Sequence, residues 1–186
     1  GNPWSETFTF ASGATIESGD VYVICYGGAE EPILEFADEV CPWQDPWLVA
    51  GFNGDDVRAL AFGTDSENNI IDIIGTLDGD GDGIPGEGSE DDPGGGWEVA
   101  GVDEATKNHT MVRKASIYEG NGGDWASSAG TNENNSEWIV YEQNHWDNLG
   151  WHNFYGSNLP VKDGLGDDID WTNITNQLSA NWLSNL

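Results

Sequence analysis

The 186 residues carry 34 Asp and Glu against 5 Lys and Arg, a formal net charge of -29. That field repels DNA, RNA and anionic lipid, because nucleic-acid binding needs clustered cations to displace counterions. The 10 Trp, 5 Tyr and 6 Phe exclude a disordered acidic tail and predict one folded domain with an acidic surface. Salt screens self-repulsion over roughly 8 Å at physiological strength and over less in brine. A saline exterior therefore suits the chain, with a halophilic cytosol as the rival setting.

In chain order, alternation and β-branched or aromatic residues predict strands at TFTFASGATI (7–16) and GDVYVICYG (19–27). PILEFADEV (32–40) reads as a short helix, stopped by the prolines of CPWQDPW. Cys25 and Cys41 form an isolated pair, in no CxxC and beside no histidine. A disulfide there would contribute about 3 kcal/mol in an oxidising compartment. Two buried free thiols are the alternative.

Further strands are predicted at VRALAFG (57–63), IIDIIG (70–75), HTMVRKASIY (109–118) and EWIVYE (137–142), each bounded by Gly, Asn, Asp or Pro. Between IIDIIG and Trp97 lies a long glycine-acid insertion. In it Asp78, Asp80 and Asp82 occupy positions 1, 3 and 5 of a loop with Gly83 at 6, so alternating carboxylates converge on one hard cation where glycine makes the turn. A helix-loop-helix sensor is excluded, since a predicted strand precedes the loop and position 12 is Ser89. The expectation is a structural Ca2+ site of Asp78, Asp80 and Asp82, closed by acids such as Glu87 and Glu90. NGDD (53–56) offers a second, weaker calcium site; the alternative is that Asp55 and Asp56 cap a turn and pair with Arg58.

No run of 18 apolar residues predicts membrane insertion, and no basic region followed by an apolar one opens the chain, so a secreted form is expected to have lost its signal. His109, His145 and His152 are too scattered for a metal cluster, and Ser127 and Ser128 do not form a GxSxG elbow. Paired acids carry no signal in a chain so rich in them. Three Asn-x-Ser/Thr triplets, at Asn108, Asn134 and Asn173, carry little weight in an Asn-rich chain. Trp43, Trp47, Trp146 and Trp151 fall in predicted loops, where rings stack on sugars; core or interface packing is the commoner use.

The order SGDVYVI, FNGDDVRALAFG, IIDIIG, GWEVAGV, ATKNHTMVRK, SEWIVYEQNHWDNLGWH resembles the lamin tail domain of secreted bacterial proteins, over residues 8–152. NGDD, HTMVRK and LGWH are its most specific pieces. The resemblance implies an immunoglobulin-like antiparallel β-sandwich, an all-β fold with no catalytic residues, and a role as an accessory module of exported proteins. Such domains usually open with two further strands, and residues 153–186 extend past their usual end. That tail is expected to form a C-terminal extension beside the 1–152 sandwich, packing on it or on a neighbouring subunit.

These readings lead to one expectation and one rival. The expectation is a non-catalytic, extracellular or cell-surface module that binds calcium and joins its own copies through sheet edges into filaments or surface layers, or adheres to other cell-surface proteins. The rival is an accessory polysaccharide-binding module of a larger secreted enzyme.

Overall fold

The computed structural model describes residues 4, 7–17, 20–42, 48–63, 68–77 and 95–152. Strands outnumber helices in it, as an all-β class requires. They are short, and they pair two by two: β1 (Ile24–Tyr26) with β2 (Glu39–Cys41), β3 (Arg58–Ala61) with β4 (Ile70–Ile74), and β5 (Thr110–Arg113) with β6 (Trp138–Tyr141). The last two pairs are antiparallel.

Three sequence expectations are corrected. Residues 7–16 form no strand; a turn from Ala14 N–H to Ala11 O, 2.9 Å, takes its place, and edge-to-face contacts of Phe8 with Phe10 and of Phe10 with Tyr22 hold the segment. The helix α1 covers only Glu31–Leu34. Pro32 starts it well, but Glu35, Asp38 and Glu39 place negative charge where a helix C-terminus favours cations. Asp38 turns back instead, its carboxylate accepting the Val23 N–H at 2.7 Å while the Asp38 and Glu39 amides donate to Val23 O. The chain therefore enters β2 parallel to β1, not antiparallel. The twelve-residue connection (27–38) is about the minimum for a parallel crossover.

The core lies in the other half. Ile73, Val99, Ala105, Trp125, Ala129 and Trp138 are buried together, with Trp97, Val102, Met111 and Val140 packed against them. Trp125 opens α2 (Trp125–Ala129), an element hidden in WASSAG. Asp124 caps it by accepting the Ser127 N–H at 3.1 Å. Gly130 ends it at φ +61, where a Cβ would stand 2.6 Å from the Ser136 backbone. Glycine is likewise required in NGDD: Gly54 has φ +98, and a Cβ there would meet Thr106 O at 2.2 Å.

Candidate functional site

β5 and the segments around it share a polar network of side chains. The Arg113 guanidinium on β5 is 13% exposed and donates through Nη2 to Asp72 Oδ1 on β4 (3.0 Å) and to Ser128 Oγ on α2 (3.2 Å). Glu137 Oε2, beside β6, lies 3.6 Å away, and the guanidinium sits 4.3 Å over the Trp138 ring. Ser128 in turn donates to Glu137 Oε2 at 2.6 Å and accepts the Trp138 indole N–H at 2.9 Å. One arginine thus ties four elements together with two carboxylates and one hydroxyl.

Asp72 extends this network to the margin of the sheet. Its Oδ1 also accepts the Asn121 backbone N–H at 3.0 Å. The Asn121 side chain then acts as a partner strand in miniature, accepting the Ile73 N–H at 3.0 Å and donating to Ile73 O at 2.7 Å, while Gly122 N–H donates to Ile71 O at 3.0 Å. The free edge of β4 is closed.

The β3 side of the same hairpin is different. Among the described residues no strand lies beside it. Leu60 is 47% and Phe62 77% exposed. Ile71 is also exposed, the extra residue of the bulge that offsets Leu60↔Asp72 from Ala61↔Ile70. Arg58 holds the entrance to β3, donating to Val49 O (3.0 Å), Val57 O (2.8 Å) and Asp56 (3.3 Å) and lying 4.1 Å over the Phe52 ring. The pairing expected for NGDD is therefore Arg58 with Asp56, and Asp55 is buried.

The proposed calcium ligands Asp78, Asp80, Asp82, Glu87 and Glu90 lie outside the described residues, as do Trp43 and Trp47. The stems of their segment meet: a Cβ on Gly75 would stand 2.7 Å from the Trp97 ring. Among the described residues no group of three His, Cys, Asp or Glu could hold a metal. Cys25 and Cys41 are buried free thiols. They are one residue apart in register, Cys25 beside Val40 and Cys41 beside Tyr26. The Cys25 thiol points at Ile33 O, 3.8 Å away. Burial raises both thiol pKa values; the neighbouring Cys41 raises that of Cys25 further, and a hydrogen bond from the Ala50 backbone partly offsets the rise at Cys41.

The three histidines do not converge into a metal group. His109 Nδ1 lies 2.9 Å from Lys107 O, and His145 stacks on Tyr141. His152 borders an open hollow of about 390 Å³ that is also lined by Arg113, Tyr118, Glu119, Asn148 and Trp151. Burial, with Arg113 nearby, pushes the His152 pKa below its usual value. Trp151 reaches this hollow; Trp146, also exposed, does not line it. Sequence reasoning missed Tyr118, which ended a predicted strand, and Arg113, whose partners are distant in the chain. Among the described residues no helix is long and apolar enough to cross a membrane. The chain matches no known family model, no curated protein and no solved structure.

Proposed function

We propose that the chain is a non-catalytic, calcium-binding structural module of the immunoglobulin-like class, working outside the cell, that joins its own copies along the open side of β3. The observation that carries this reading is the unequal hairpin: β4 is covered by Asn121 and Gly122, whereas β3 is flanked by exposed Leu60 and Phe62. Unpaired N–H and C=O groups beside apolar side chains form a template for a further strand, and monomers usually blunt such an edge with charge, proline or cover. Two copies at a net charge of -29 repel each other. Calcium at Asp78, Asp80 and Asp82 offsets part of that charge without any protein base.

Sedimentation of the protein and of a Leu60→Lys/Phe62→Lys double variant, both with calcium, tests the edge. The variant is less negative overall, so a rise in net-charge repulsion cannot explain a loss of assembly; the lysines act locally, at the edge itself. We expect high-mass species from the protein and monomer from the variant. A variant that assembles like the parent would contradict the reading.

A further inference from the structure

We propose that the groove flanked by Tyr118 and Trp151 binds an uncharged oligosaccharide, its sugar faces on the two aromatic rings and its hydroxyls on Asn148 and Glu119. This goes beyond the assembly reading and uses a different part of the molecule. Two open hollows, of about 390 and 430 Å³, lie on either side of the 117–120 segment and share it as a common wall. Tyr118 stands on that wall and is 63% exposed. Trp151 borders the first hollow and is 42% exposed, with its indole N–H donating to Asp147 O at 2.6 Å. That bond fixes the ring within its own turn, so little rotamer freedom is lost when a ligand stacks on it.

The polar groups around the rings select the ligand. Asn148 and Glu119 line the first hollow, and Asn121, Asp124 and Ser127 the second. Amides and carboxylates accept sugar hydroxyls well. The cation in the lining, Arg113, is already engaged by Asp72 and Glu137, and the chain as a whole is strongly negative. Polyuronates and sulfated glycans are therefore repelled. Two hollows divided by one aromatic ridge suit a chain of several sugars better than a single ring.

Titration of the full chain with cellohexaose, mannohexaose, chitohexaose (the N-acetylglucosamine hexamer) and hexagalacturonate, followed by tryptophan fluorescence and NMR, tests the proposal. At least one uncharged hexamer should bind saturably and more tightly than its dimer, while hexagalacturonate should not bind. Tyr118→Ala and Trp151→Ala should each weaken binding roughly tenfold, about one ring contact. Tyr118→Phe, which keeps the ring, should retain binding. The Leu60→Lys/Phe62→Lys variant should bind sugar normally, which separates this result from the assembly result. Absence of binding by every uncharged hexamer, equal binding of hexagalacturonate, or binding that survives both alanine substitutions would overturn the proposal.

Discussion

The two sides of the β3–β4 hairpin differ in how the chain uses its few cations. On the β4 side, the Arg113 side chain, 13% exposed, engages Asp72 and through that carboxylate fixes Asn121 against the strand. On the β3 side, Arg58 is half-buried at the strand entrance, its partner Asp56 is 44% exposed, and exposed apolar residues follow. With 5 basic residues against 34 acids, one largely covered guanidinium organises the closure of an edge, and the other edge is left to hydrophobic residues. The difference teaches that closure here is built by long-range polar ties, not by a further strand.

The strongest way to break that asymmetry is Arg113→Met. It leaves the Asp72 and Glu137 carboxylates, 31% and 29% exposed, without their cation; losing an exposed pair costs about 1 kcal/mol and a buried one about 3–5, so this half-buried network should cost about 2–3 kcal/mol. Urea unfolding should show a loss of that size. Arg58→Met, at a more exposed pair, should cost about 1 kcal/mol. Equal losses would mean that Arg113 is not the organising residue.

Asn121→Ala comes next. It removes both side-chain hydrogen bonds to Ile73 and re-exposes the β4 edge. Stability should fall by about 1–3 kcal/mol, and hydrogen exchange at the Ile73 amide should quicken. Exchange that stays as slow as in the parent would show that the edge is closed by something else.

The smallest effect concerns pH. The His152 pKa is lowered in the folded state, first by burial and then by Arg113. The unfolded chain therefore takes up this proton more readily. Stability is full above the ordinary histidine value, about 6.5, and is lost as pH falls from there through the folded value. His152→Gln should flatten the stability profile over that window, as read from melting temperature against pH; an unchanged slope would remove His152 from the account.

Sequence alone located β3, β4, β5 and β6, because VRALAFG, IIDIIG, HTMVRK and EWIVYE carry β-branched and aromatic residues between turn formers. It misjudged residues whose state is decided at a distance. Residues 7–16 alternate like a strand but gain aromatic contacts in place of a ladder. Val40 sits in a helical pattern yet joins β2, because Asp38 and Glu39 bond back to Val23. Arg113 and Asn121 were invisible as a site: their partners Asp72 and Ile73 lie 41 and 48 residues away in the chain. Trp151 was legible as a loop aromatic, whereas Tyr118 was not, since the strand ends at Arg113 and a turn from Lys114 O to Ile117 N–H precedes it.

The central claim is that calcium lets a strongly acidic module assemble along one open edge. Light scattering on the full chain, at high concentration and moderate salt, with calcium and then with a chelator, tests it most directly. The melting temperature is recorded in both states, because a ligand that binds only the folded form stabilises it by about 2.7 kcal/mol at a hundred times its dissociation constant. The account predicts high-mass species and a raised melting point with calcium, and a less stable monomer with chelator. Asp80→Asn/Asp82→Asn should move the calcium dependence to higher concentration. A monomer in both conditions, with one and the same melting point, would contradict it.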